Sequence, residues 1–585
     1  MSRLILLFHK MRGMLRLPPL NAATISVRQT IELLDGPFAS LAAAFNRGEY
    51  ALWLGSAISR ERVAALNGVL SKLIEFLRIR ITAADECPYR RALNQVIDIA
   101  NPSEHERGRI SFAQDSAAWP DLPVLLKRLA EKYSTVLAVS VEGQPDADYL
   151  LWEGTDFVHT FANEEPDADH LCICILALEG VASDIVSANW DGLIEAAVRE
   201  LGHTLDIFRI CVTGTDFRGP AAAARLLKFH GCAVRAIENE PVYRPLLIAR
   251  WAQIVGWMEN NAFAAMKNAL LGVSSQRRTL MIGMSAQDPN IQALFQGARA
   301  LATWPWNDEP PAHVFAEQSL GTGQKTILEL SYGDDFQPNQ AAILSRSCIP
   351  AYGKPLLAAL VLNVITSKCC AMLRNISTPG LQGHDFLELD KGIKRIRDLA
   401  ADAAGPDALA FIRRLVRHTS RVKAMLQEGR HSTAAHQTYR AISSRHDVDN
   451  DPNVGATGQR EAASGLALLG LGEISGDWSL TLGDLINNEA GAIKISSNAG
   501  TARVSFAANS NADLNLFKDC VYKEDDGEVI LVHSSPIVPF QQRSPSRQMG
   551  RKGKTSAAHV DLSSIIKSAS DIADLRQRFR QEIGL

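Results

Sequence analysis

Between residues 50 and 302 the chain alternates short apolar runs with longer stretches whose apolar residues recur at helical spacing. The runs fall at 51–54, 136–141, 185–188, 207–212 and 279–282, and the helical stretches include 62–79, 191–201 and 219–227. Short continuous apolar runs bounded by turn residues suit strands covered on both faces. Their alternation with helices predicts an α/β domain over residues 50–305, with a Rossmann-like parallel sheet flanked by helices.

On either side of this domain the period changes. Residues 1–49 read as a helical preamble, with Ile31, Leu34, Phe38, Leu41 and Phe45 on helical spacing. Residues 307–312, rich in Pro and acidic residues, and the Gly-containing 321–324 read as a linker. A helical region follows at 325–430, and the polar stretch 443–461 is predicted to be a second linker or mobile loop. Residues 465–585 form a mixed β-rich region with a basic loop and a terminal helix at 561–583. At 585 residues the chain is too long for one core, which agrees with several units.

Composition narrows the partners. A hydrophobic share of 46%, a charged share of 21% and a formal net charge of −3 suit a soluble globular protein with no bulk attraction to nucleic acid or to an anionic membrane. Nucleic acid or an acidic protein would need a local patch, and Arg543, Arg547, Arg551, Lys552 and Lys554 supply one. Ser, Pro and Gly between those charges equally suit a solvated loop. The apolar stretch 356–373 contains Lys368, so it is predicted to be a buried helix, and no membrane partner is expected. Nine cysteines include no Cys-x-x-Cys pair, which excludes a structural zinc site built from two such pairs. No metal is expected. The odd cysteine count, with an initial apolar stretch too short for a secretory signal, argues for a reducing cytoplasm.

Candidate chemistry lies where apolar runs end. In an open α/β sheet the ligand crevice sits at the carboxyl ends of the strands. Asn189 and Asp191 occupy such a place, although either would also serve as an ordinary helix cap. Gly55-Ser56-Ala57-Ile58-Ser59 ends the first run, and backbone N–H groups of such a turn can cradle phosphate; a tight turn without a ligand uses the same small residues. His230 precedes Gly231 at the end of another run, and its imidazole can exchange a proton near neutral pH. Gly283, Ser285 and Asp288 end the last run, placed to meet ribose hydroxyls or to cap a helix.

In this chain order the Gly55–Ser59 turn, Ser187-Ala188-Asn189-Trp190-Asp191 and His230-Gly231 resemble the sirtuin family, with its Gly-Ala-Gly-x-Ser turn, Thr-x-Asn-x-Asp segment and His-Gly. The likeness is in particular to the sirtuin-like domains of bacterial antiphage defence proteins, which lack the zinc module. Ile194 and Glu195 continue the pattern, whereas Ala57 replaces the second glycine and Ser187 the threonine.

The resemblance implies NAD as substrate, held by Gly55, Ser56, Ala57, Ser59, Gly283, Ser285 and Asp288. It implies that Asn189 holds the nicotinamide ribose and positions water, that Asp191 supports it, and that His230 is the general base. The implied activity is NAD hydrolysis at the nicotinamide–ribose bond, serving antiphage defence by NAD depletion. The alternatives are an NAD-dependent protein deacylase and a non-catalytic module that binds NAD or ADP-ribose. The resemblance also implies a homo-oligomer or a separately encoded partner, such as a helicase-like ATPase or an Argonaute-type protein.

Overall fold

The computed structural model describes residues 20–584 apart from 64–65, 85, 162–164, 377, 432–437, 456, 483–490, 524 and 537–555. Seven strands make one parallel sheet: β1 (Tyr50–Leu54), β2 (Asp184–Ser187), β3 (Phe208–Cys211), β4 (Ala224–Lys228), β5 (Arg278–Ile282), β6 (His313–Ala316) and β7 (Cys348–Ile349). Their order is β3-β4-β2-β1-β5-β6-β7. β1 is central, pairing with β2 on one side and β5 on the other, so that Leu54 lies level with both Ser187 and Ile282.

Alternation along the strands explains why the runs are apolar throughout. Tyr50, Leu52 and Leu54, with Leu280 and Ile282, enter a core shared with the helices Val27–Asp35, Ala168–Leu178 and Gly353–Arg374. Trp53 and Ala51, with Val186, Leu227, Met281 and Phe315, enter the core on the other face, under the helices Ala264–Gln276 and Pro289–Leu301. Both faces are covered, so neither set can be polar. The expected Rossmann-like parallel sheet with flanking helices is therefore the architecture of this part of the chain. Residues 66–161 form a helical insertion between β1 and β2 with a core of its own.

Several elements differ from the sequence reading. The stretch 219–227 contains β4 rather than a helix, because it fills the place between β2 and β3. The run 136–141 is no strand; it follows the short helix Tyr133–Val136 and buries Val136, Leu137 and Val141 inside the helical insertion. β6 lies within the expected linker, so the sheet continues past residue 305, and β7 extends it further. The helices of the expected preamble belong to the core of this sheet.

The stretch read as a second linker, 443–461, is anchored where it is described: Ser443 O accepts from Lys368 Nζ at 2.7 Å, and the Ser443 hydroxyl donates to the buried Asp451 at 2.7 Å. Glu179 is fully buried; its carboxylate accepts from the Tyr439 hydroxyl at 2.6 Å and from the Ile442 N–H at 2.9 Å, and it pairs with Lys368 Nζ at 2.7 Å. Lys368 belongs to Gly353–Arg374, which is long and apolar enough to cross a membrane; 72% of its most apolar window is buried within the chain. Its lysine thus meets a carboxylate inside the protein.

The C-terminal region holds a second sheet of β8 (Ser479–Leu482), β9 (Ile493–Ser497), β10 (Gly500–Ala507), β11 (Val529–His533) and β12 (Ala558–Asp561), ordered β12-β11-β10-β9-β8. β8, β9 and β10 pair antiparallel, and β10, β11 and β12 parallel. The basic run with Arg543, Arg547, Arg551, Lys552 and Lys554 lies outside the described residues.

Candidate functional site

Because the first sheet is wholly parallel, the residues after β1, β2, β4 and β5 gather along one edge. The turn after β1 is pressed against the end of β5. Gly55 N–H donates to Ile282 O at 3.0 Å and Ala57 N–H to Gly283 O at 3.2 Å. A Cβ at Gly55 would sit 2.3 Å from Gly283 O, so only glycine allows this approach. The turn is thus stitched to β5, and two of the N–H groups expected to face phosphate are already in use. Ser56 is exposed, while Ser59 is buried.

Asn189 leaves the end of β2 and crosses to that turn. Its Nδ2 donates to Gly55 O and to Ser59 Oγ, both at 3.2 Å, while Oδ1 takes no partner among the described residues. Ser59 Oγ also contacts His170 Nε2 at 3.2 Å. The Asp167 N–H donates to His170 Nδ1, which places the ring proton on Nε2. Ser59 Oγ therefore accepts twice, and its own O–H is left to donate. Burial holds His170 below the ordinary imidazole range, against the pull of Asp191 and Asp167.

Asp191 plays a more local part. Its Oδ1 accepts from the Leu193 N–H at 3.2 Å, although the cap position itself is held by Gly192, so Asp191 steadies the helix start from one residue before it. Its carbonyl accepts from Lys228 Nζ at 2.6 Å, and Lys228 also pairs with Glu195 at 2.7 Å, fully buried. This ion pair lies behind the edge and ties β4 to the helix Leu193–Glu200.

His230 ends β4. Its carbonyl accepts from Trp190 Nε1 at 2.8 Å, which clamps the ends of β2 and β4 together. Gly231 follows with φ +99° and no space for a Cβ, which would lie 2.8 Å from Leu246 O. The imidazole Nε2 meets the Asn290 side-chain amide at 2.9 Å. Burial pushes its pKa down to about 4, so the ring is neutral at neutral pH. Asn290 Oδ1 is buried with no partner. With the amide turned over, Oδ1 would accept from Nε2–H and leave Nδ1 as the proton acceptor.

Ser285 is exposed at the rim. Asp288 stands before the helix Pro289–Leu301 without capping it through its side chain; Oδ1 instead accepts from the Tyr133 hydroxyl at 3.4 Å, and burial raises its pKa. The candidates at Gly55, Ser59, Asn189 and Gly283 are thus in mutual contact. His230 joins Asn290 in the helix after β5, and Ser56, Ser285 and Asp288 lie toward the outside. Asn189 and His230 are only 9% and 5% exposed, so the edge is narrow.

Three contributors have no local sequence signal: His170, Tyr133 and Lys228. His170 sits in an apolar helix, Tyr133 in the insertion, and Lys228 inside an apolar run. Only contact across the fold gives them a place here.

No curated protein matches the chain. Residues 183–325 match the family model of the SIR2-like domain. The match spans β2 to β6 and includes Asn189, Asp191, His230, Ser285, Asp288 and Asn290; β1 and its turn precede it within the same sheet. Residues 183–325 thus carry a SIR2-like domain, of an NAD-related family, and the Asn189 and His230 ends of the cluster lie within it.

Proposed function

We propose that the chain is an NAD glycohydrolase that cleaves the nicotinamide–ribose bond with water as acceptor. The observation that carries this reading is the meeting of Asn189 with the Gly55–Ser59 turn, beside a neutral, buried His230 on the neighbouring strand end. Cleavage sends the bonding electron pair to the pyridine nitrogen and develops positive charge on the ribose. A site for this needs oriented dipoles and a placed water more than a strong nucleophile. Asn189 Oδ1 is an acceptor without a partner among the described residues, suited to a ribose hydroxyl or water. The Ser59 O–H can donate, and with the Asn290 amide turned over to accept from Nε2–H, the neutral imidazole can take at Nδ1 the proton that water releases. Since Gly55 and Ala57 have spent their N–H groups, the ADP portion falls to the outer hydroxyls of Ser56 and Ser285 and to Asp288.

In this reading the protein works in the cytoplasm as an effector of antiphage defence by NAD depletion. It acts as a homo-oligomer or with a helicase-like ATPase or an Argonaute-type partner. Nicotinamide release from NAD by the full chain, with no acylated peptide present, is the deciding assay. Release only when an acyl-lysine peptide is supplied would assign a deacylase instead.

A further inference from the structure

We propose that Asp513, His533 and His559 form a binding site for a divalent transition-metal ion, with zinc the best match. The site lies in the second sheet, far along the chain from the strand-end cluster, and is independent of the NAD reading. Among the described residues these three offer ligand atoms within 4.8 Å of one another. His533 ends β11, His559 lies in the adjacent β12, and Asp513 comes from the helix Ser510–Lys518 that follows β10.

The imidazoles meet at 2.9 Å, Nε2 of His533 to Nδ1 of His559. A simple hydrogen bond would account for that contact but leaves the carboxylate unexplained. Asp513 is 2% exposed, and no Lys or Arg pairs with it among the described residues. A buried carboxylate without a cation is costly. Its Oδ1 accepts from the Tyr522 hydroxyl, while Oδ2 faces His559 Nδ1 at 4.0 Å. Tyr522 also packs edge-on against His559, with ring centroids 5.8 Å apart. One residue therefore orients two of the three ligands, as outer groups commonly do in metal sites.

Two imidazoles and one carboxylate suit a borderline ion such as Zn²⁺ better than Mg²⁺ or Ca²⁺, which favour oxygen ligands. Ligand atoms around zinc lie about 2.0–2.2 Å from the metal, so the imidazoles need only part slightly to admit it. Three protein ligands leave a fourth position for water, on the side where His559 is 33% exposed. The ion would join β11, β12 and the helix after β10. The cysteine count that predicts a metal-free chain does not weigh this histidine–aspartate set.

The test uses the full chain, stripped with a chelator and dialysed against zinc, beside an Asp513→Asn/His559→Gln double variant and Tyr522→Phe. The expected result is about one zinc per chain retained by the wild type and lost in the double variant, with binding weakened about 10–100-fold by Tyr522→Phe. Cobalt substitution of the wild type provides a reading that needs no variant. Visible ligand-field bands without thiolate charge transfer support nitrogen and oxygen ligation. Zinc retained equally by the double variant, no zinc retained by the wild type, or cobalt bands of thiolate character would each overturn the proposal.

Discussion

The two ends of the seven-stranded sheet are both polar, yet they differ in what their polar groups are doing. At the amino ends of the strands, Asp184 pairs with Arg225 at 2.6 Å and with Arg277 at 2.9 Å, and Glu49 pairs with Arg278 at 3.1 Å. A cavity of about 310 Å³ opens there, lined by Asp184, Arg209, Arg225 and Arg277. At the carboxyl ends the inner groups, Ser59, Asn189, His230 and Asn290, are neutral, and Asn189 Oδ1 has no partner among the described residues. The comparison teaches that concavity alone does not mark a site. Charges consumed by one another brace the sheet, whereas an unspent acceptor at the carboxyl edge is available to a substrate.

The largest expected effect comes from Asn189→Ala and His230→Ala. Each should lower nicotinamide release by about a hundredfold to ten-thousandfold, as loss of a positioning or proton-transferring group does. Near-normal hydrolysis by a well-folded Asn189→Ala protein would move the site elsewhere, with the amino-end cavity next in line. Ser59→Ala sharpens the comparison, since Asn189 keeps Gly55 O as a partner. One neutral hydrogen bond is worth about 1 kcal/mol, so the rate should fall about fivefold.

The pH profile is a weaker lever and tests the neutrality of the edge. Because burial holds His230 at about 4, kcat/KM should change by less than about twofold between pH 6 and 8; an inflection near 6.5 would mean a hydrated imidazole. Stability follows the same shift. Between its free and folded pKa values the unfolded chain binds the extra proton, so stability is full above about pH 6.5 and declines as pH falls. His230 alone should cost about 2 kcal/mol by pH 5, measurable by denaturant titration at pH 7 and pH 5. The smallest effect on rate belongs to Asp184→Ala. It should leave hydrolysis unchanged while removing on the order of 1–2 kcal/mol of stability, the exposed sides of Arg225 and Arg277 limiting the loss. A large fall in rate from this change would erase the distinction between the two edges.

Much of this edge is legible in the residues, because β1, β2 and β5 are short apolar runs that end in the polar groups in question. β4 is hidden by its composition. Four alanines precede Arg-Leu-Leu, a sequence that favours helix, and only its place between β2 and β3 makes it a strand. The run 136–141 errs in the opposite sense, with β-branched residues serving a helical core. β6 escapes notice because Pro310 and Pro311 give its approach the look of a linker. Within the site, Asn189 and His230 carry a local pattern. His170 and Tyr133 do not, since their meaning arises only from elements brought in from elsewhere.

The continuation of the sheet past residue 305 bears on how the molecule can be divided. A gene fragment ending there would lose β6 and β7, leaving the outer backbone groups of β5 unpaired. It would also lose the helix Gly353–Arg374, uncovering one face of the sheet and stranding Glu179 without Lys368. The SIR2-like portion is therefore not a cassette that recombination or cloning can lift out cleanly. Any swap that preserves its fold must carry its sequence through at least residue 374, and a break at 305 should yield aggregates instead of a smaller folded unit.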